Sequence, residues 1–304
     1  MSTTTLSLET TRSHRLARVA DYVELTKPRI GVLVLVTVAI SYCCARWGQP
    51  EPWAMFHAML GTLLVASSAS ALNQYLERKL DLRMDRTAER PLPAGRLTKS
   101  EVITFAVITI LVGEAYLALL VNLEAALWGL LTWAIYVWLY TPLKTRTPLN
   151  TAIGAISGAL PVFIGWSAAG GVWSDHLRAS SLFMIVFLWQ FPHFMAIAWM
   201  YRKQYGQAGM QMLSVVDPTG RRAGVQAVCG ALALLPVSLL PGLFTPGFGG
   251  SVYIVVAFLL GLMQLAFAVA FCTSLSELAA KRLLKVSLVY LPTMLMLALV
   301  VLWF

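Results

Sequence analysis

Charged side chains are scarce in this 304-residue chain, at 12% of the total against 58% hydrophobic. Soluble domains carry roughly 25% charged residues, so an ordinary water-soluble globule is excluded and an integral membrane protein is indicated. Acidic residues are the scarcest, 14 against 23 Lys and Arg. In a soluble chain that excess would suggest a nucleic acid. Here the bases are confined to short gaps between apolar runs, which argues against a DNA or RNA partner. The four cysteines (Cys43, Cys44, Cys229, Cys272) all sit inside apolar segments without C-x-x-C spacing, so neither a disulfide framework nor a zinc site is expected. Nor is a cleavable signal peptide expected, because residues 1–25 are polar and lack an apolar core followed by a small-residue cleavage site. They are expected to form a flexible tail. Residues 26–304 are expected to form one domain, since membrane helices share a single lipid-bounded interior.

Apolar runs are abundant. A hydrocarbon layer about 30 Å thick needs about 20 apolar residues per helix. On that ruler nine spans are predicted, at 30–46, 54–76, 101–121, 124–141, 150–169, 180–200, 224–241, 251–274 and 284–304. The fold class is therefore an all-α, polytopic bundle of about nine transmembrane helices. A barrel is disfavoured, because its strands would alternate in polarity. Lys and Arg collect in cytoplasmic loops, and all but Arg46 and Arg178 fall on alternate connections counted from the N-terminus. This places the N-terminus in the cytoplasm. The two longest basic loops follow spans two and six, a hint of a duplicated four-helix unit.

The densest polar cluster continues the second span as NQYLERKLDLRMDRTAERPLPAG from Asn73. Asn73, Glu77 and Asp81 recur every four residues and so share one face of a helix. Their oxygens are hard donors of the kind Mg²⁺ takes, with substrate phosphate completing the shell. Arg78, Lys79, Arg83, Arg86 and Arg90 surround them with positive charge. The competing reading is a juxtamembrane helix whose acids make i,i+4 pairs with these bases. Against it, two carboxylates stacked one turn apart are unfavourable without a counter-cation.

Asn73-x3-Glu77-x3-Asp81, followed by Arg86-Thr87-x2-Arg90-Pro91-Leu92-x2-Gly95, resembles the first acidic motif of the UbiA-type intramembrane prenyltransferases, in the version carried by the haem-farnesylating members. Further matches are Thr26-Lys27-Pro28-Arg29, YTPLKTRTPLNTAIGAISGALP from Tyr140, FLWQFPHF from Phe187, Tyr201 and AGMQMLSVVDP. They extend the resemblance over roughly residues 25 to 300.

The resemblance implies transfer of the farnesyl chain of farnesyl diphosphate to a vinyl group of haem B, with addition of water, to give haem O. By that analogy Glu77 and Asp81 are Mg²⁺ ligands, with Asn73 as an oxygen ligand or orienting group. Lys144 and Arg146, with Arg86 and Arg90, bind diphosphate. Positive-inside topology alone would also put bases at 144 and 146. Tyr140 stabilises the allylic cation through its ring face, or else is an interfacial tyrosine. His193 and Trp189 face the haem, His193 alternatively hydrogen-bonding to a neighbouring helix. His57 is a second candidate for haem, and His14 and His176 are expected in solvent. The second polar motif comprises Tyr201, Gln204, Tyr205 and Asp217. Gln204 stands where a carboxylate is expected, which puts a second Mg²⁺ in doubt, and Asp217 is near enough in sequence to substitute.

The implied setting is the bilayer of the bacterial inner membrane rather than the mitochondrial one, with haem A synthase or a terminal oxidase receiving the product. Two alternatives stay open. One is a related prenyltransferase acting on an aromatic acceptor such as 4-hydroxybenzoate. The other is a transporter, whose key polar groups would be expected near the midplane rather than at one edge.

Overall fold

The computed structural model describes residues 16–171 and 176–303. Among them no strand occurs, and nine helical segments are long and apolar enough to cross a membrane. These spans are formed by α2 (Pro28–Ala45), α3 (Pro52–Asp81), α5 (Lys99–Leu120), α6 (Leu123–Ala134) with the turns that follow it, α8 (Asn150–Ala159) with α9 (Pro161–Ala168), α10 (His176–Met200), α13 (Arg221–Leu243), α14 (Gly247–Ser274) and α15 (Glu277–Val300). Short helices α4 (Asp85–Ala88), α11 (Arg202–Ala208) and α12 (Leu213–Val216) lie in the two long polar loops, and α7 (Thr141–Leu143) ends the fourth span.

Several helices outrun the apolar stretches that announce them, because caps rather than hydropathy set their ends. The Thr98 side chain accepts from the Glu101 backbone and Glu101 reaches back to Thr98, a capping box opening α5. Ser276 caps α15 by accepting from the Ala279 amide, so this helix starts seven residues before the expected 284 and includes Lys281, Arg282 and Lys285. Span two likewise runs past residue 76 to Asp81, carrying Glu77 and Asp81 on the same helix as Asn73.

Proline shapes the fourth and fifth spans. Pro161 divides α8 from α9. Pro142 has no amide for the Trp138 carbonyl and its ring crowds that carbonyl. The preceding turn, Ile135–Tyr140, is widened to π-helix. Thr141 bonds the Tyr136 carbonyl with both its amide and its hydroxyl, the latter at 2.8 Å. Such widened turns often mark functional sites. Nearby, α2 crosses α9 so closely that a Cβ on Gly165 would stand 2.2 Å from the Val38 carbonyl oxygen. The Ser41 hydroxyl donates to the Val162 carbonyl at 2.6 Å across the same crossing.

The N-terminal segment departs from the expected flexible tail. Residues 16–25 form helix α1. Leu25 is fully buried in a cluster with Leu92 and Leu97. Arg96 pairs with Asp21 and, at 2.7 Å, with Glu24, while Arg18 pairs with Glu101. Polarity suggested a tail, whereas Asp21 and Glu24 in fact both pair with Arg96 of the first polar loop. Residues 1–15, including Arg12, His14 and Arg15, lie outside the described residues.

Both long polar loops meet at one end of the bundle. Met84 from the first is buried against Tyr205, Ala208 and Met210 from the second. The Gln211 amide donates to the Lys144 carbonyl at 2.6 Å, and Asn150 Nδ2 donates to the Gln211 carbonyl at 3.1 Å.

A charged cavity at the end of the second span

Beneath the junction of these loops lies a cavity of about 200 Å³, lined by residues from α2, α3, the first polar loop, the fourth and fifth spans, α10 and the second polar loop. Asn73, Glu77 and Asp81 face it from α3, as their four-residue spacing requires, and all three are buried. Each has its own cation. Lys27 donates to Asn73 Oδ1, Lys144 Nζ lies 2.7 Å from Glu77 Oε1, and Arg90 Nη1 donates to both Asp81 oxygens at 3.0 and 2.9 Å.

The supporting contacts fix this arrangement. Asn73 Nδ2 donates to Thr141 Oγ1 at 3.1 Å, so the hydroxyl that holds the widened turn also orients the carboxamide. Thr87 Oγ1 donates to the Asp81 carbonyl at 2.9 Å, folding the first polar loop back over the end of α3 and bringing Arg90 within reach. The widened turn presents both Tyr136 and Tyr140 to the cavity, with ring centroids 5.3 Å apart. Lys144 Nζ sits 4.5 Å from the Tyr140 centroid, a cation–π distance. Arg86 lies 4.9 Å from the ring of Tyr201 and also lines the cavity.

Electrostatics separate the two lysines. Burial pulls the Lys27 ammonium down to about 7, Arg90 and Lys144 add to the depression, and Glu77 and Asp81 oppose it. Burial acts the same way on Lys144, but the adjacent Glu77 carboxylate outweighs it and raises the pKa above the usual lysine range. Lys144 is therefore a fixed charge. Lys27 holds its proton only as far as nearby anions reward it.

Of the residues marked by sequence, the cavity collects Asn73, Glu77, Asp81, Arg86, Arg90, Tyr140, Lys144 and Tyr205. The others lie elsewhere. Arg146, expected to share diphosphate with Lys144, is exposed on the turn beyond α7 and does not line the cavity. Asp217 cannot stand in for a missing acid there. Its Oδ1 accepts from the Thr219 hydroxyl at 2.6 Å and its Oδ2 from the Arg222 amide at 2.8 Å, so both oxygens cap the start of α13. Those bonds also hold its carboxyl below the usual range. Gln204 is partly buried beside Tyr205, outside the lining, and its Oε1 has no hydrogen-bond partner. Tyr201 serves as the platform under Arg86.

Trp189 and His193 occupy the seam between α10 and α15. Trp189 Nε1 donates to the Ser287 carbonyl at 2.7 Å, His193 Nδ1 is 2.9 Å from Ser287 Oγ, and the two rings stack at 4.7 Å. Their contacts are those of the helix-bonding alternative, and neither lines the cavity. His57 bonds the Tyr116 hydroxyl at 2.7 Å, near the opposite end of α3. The His176 side chain lies outside the described residues.

The sequence motifs gave no site role to Lys27, Tyr136, Asn150 and Thr151, all in the lining. A base just before the first span looks like ordinary topology, and an aromatic inside an apolar run carries no signal by itself. Asn150 and Thr151, polar and opening a span, were the visible clue.

Residues 34–303 match the UbiA prenyltransferase family. The chain belongs to that family. A curated relative from Solibacter usitatus, named protoheme IX farnesyltransferase, is 45% identical over 284 residues, covering 90% of this chain and 95% of its own. One of the same name from Rhodopirellula baltica is 42% identical over 279 residues, covering 90% and 97%. Among solved structures, a digeranylgeranylglyceryl phosphate synthase superposes with a TM-score of 0.78 at 15% identity, over 94% of this chain and 99% of that one. A UbiA homologue from Archaeoglobus fulgidus bound to GPP and Mg²⁺ gives 0.69 at 14% identity, over 93% and 100%. At such identities the shared property is the UbiA fold.

Proposed function

We propose that this chain transfers the farnesyl group of farnesyl diphosphate to a vinyl group of haem B, with addition of water, producing haem O and diphosphate. The supporting observation is the cavity itself, in which two buried carboxylates and a carboxamide share one helix face with four basic side chains around them. The relatives' shared name supplies the acceptor and donor.

Asn73, Glu77 and Asp81 offer hard oxygen donors in a row, a set suited to Mg²⁺. When bound there, Mg²⁺ would neutralise charge developing on the leaving diphosphate. The chain's own groups do the rest. Lys144, Arg90 and Arg86 present fixed positive charge to diphosphate oxygens as the allylic carbon–oxygen bond breaks and its electron pair leaves with the diphosphate. Tyr140 and Tyr136 offer ring faces to the farnesyl cation. The vinyl carbon of haem B then bonds to that cation. Water adds to the carbon left electron-poor and loses one proton, giving the hydroxyethylfarnesyl group. Phe194 and Ile197 extend the lining as apolar wall, which keeps water from the cation before the acceptor captures it.

The cavity opens at the end of the bundle that carries the basic loops, so it faces the cytoplasm on positive-inside reasoning, with the N-terminus on that side. The setting is the bacterial inner membrane, and a haem A synthase or terminal oxidase takes the product. Purified protein given haem B, farnesyl diphosphate and Mg²⁺ is expected to form a haem of higher mass, seen by chromatography and mass spectrometry. Product with 4-hydroxybenzoate and none with haem B would overturn the assignment.

Gly154 gives a test of the tyrosine. A Cβ there would stand 2.6 Å from Tyr140 Cε2, so Gly154→Ala must push the ring off its place beside Lys144. Overpacking of this kind costs ~1–3 kcal/mol. Haem O formation is expected to fall about tenfold, equivalent to ~1.4 kcal/mol of barrier. Unchanged turnover in the folded variant would mean that the position of the ring is not used.

A further inference from the structure

We propose that the cavity binds diphosphate with a single divalent ion, Lys27 supplying the positive charge that a second ion would otherwise bring. The inference rests on the prenyl-transfer reading above.

Its first support is the distribution of acids. Among the described residues Glu77 and Asp81 are the only carboxylates in the lining, and with Asn73 they occupy one face of one helix. The second polar loop contributes Tyr205, Met210 and Met212, which carry no carboxylate. Asp217 is committed to the start of α13, and Gln204 lies outside the lining. Among the described residues no three His, Cys, Asp or Glu gather closely enough to hold a metal by themselves. The donors suffice for one ion completed by phosphate oxygens and waters. They leave no second set.

The second support is the balance of charge. Four basic side chains in the lining, Lys27, Arg86, Arg90 and Lys144, face two carboxylates. A diphosphate ester brings about three negative charges at neutral pH, so the filled cavity carries about +1 with one divalent ion and about +3 with two. A second ion would add an uncompensated double charge in a buried space.

Lys27 is placed for this role by its backbone. It precedes α2 in the left-handed region, at φ 54° and ψ 63°, an uncommon conformation for a residue with a Cβ. From there its ammonium reaches across to Asn73 Oδ1 on α3. Once that oxygen is given up to a divalent ion, the ammonium can turn to diphosphate. Lys27 thereby changes partner from the ligand row to the substrate.

The test is a Mn²⁺ titration of the purified full-length chain with farnesyl thiodiphosphate, a slowly reacting analogue, followed by electron paramagnetic resonance. One bound Mn²⁺ per chain, without exchange coupling, is expected. Lys27→Met should keep that count and weaken analogue binding at saturating Mn²⁺ by at least tenfold, with Lys27→Arg restoring most of the loss. Two coupled ions per chain in the wild type, or unchanged analogue affinity in Lys27→Met, would overturn the proposal and leave prenyl transfer standing. If neither Mn²⁺ nor the analogue bound the wild type, both readings would fall together.

Discussion

Replacing Asp81 by Asn is expected to lower haem O formation by at least a thousandfold while the protein still folds in detergent. The side chain is fully buried, and both of its oxygens accept from Arg90. The amide conserves volume and keeps one acceptor, but it removes the negative charge and turns an N–H₂ group toward a guanidinium that can only donate. Two losses follow. The ligand row keeps Glu77 as its sole charge, and Arg90 is no longer held over the cavity by two bonds. A thousandfold loss corresponds to ~4 kcal/mol of transition-state stabilisation, within the range of an electrostatic group acting at developing charge. Turnover within tenfold of wild type in a folded variant would refute the assignment of Asp81 to the reaction.

The second large effect concerns stability and activity together. Glu77 and Lys144 form an ion pair at 2.7 Å with side chains only 5% and 14% exposed. Removing one partner leaves a buried charge uncompensated, at a cost of about 3–5 kcal/mol, whereas replacing both by neutral groups of similar shape is often close to neutral. Glu77→Gln and Lys144→Met should therefore each lower the melting temperature in detergent clearly. The double variant should recover most of that loss. Turnover should be abolished in all three, because each lacks the ligand, the fixed cation or both. A double variant no more stable than either single would show that the two charges are not coupled.

Much of this arrangement was legible in the sequence because it rests on period and polarity. The row at 73, 77 and 81 needs only a helix, and capping at Glu51 with α3 continuing to Asp81 provides it. The nine spans follow from apolar length alone. What escaped was set by distant contacts. Arg146 shares a loop and a charge with Lys144, yet one is in solvent and the other is buried against Glu77. That difference depends on how the turn after α7 meets the Gln211 backbone. Residues 16–25 read as a tail because they are polar, and the partner of their acids, Arg96, lies 75 residues beyond Asp21 and 72 beyond Glu24. Lys27 was hidden by the topology rule, which by itself accounts for a base just before the first span. Asp217 illustrates the reverse error, in which an acid close in sequence to the motif is occupied with finishing a helix.

The widened turn at Ile135–Tyr140 sets the phase of everything that follows it in the fourth span. Winding the same residues as regular α-helix, with none removed, would rotate the downstream chain by about 100° relative to the upstream half. Tyr140 and Lys144 would then swing together toward the lipid. The widening is thus a spacer that takes up one extra residue and keeps Tyr140 and Lys144 turned to the cavity.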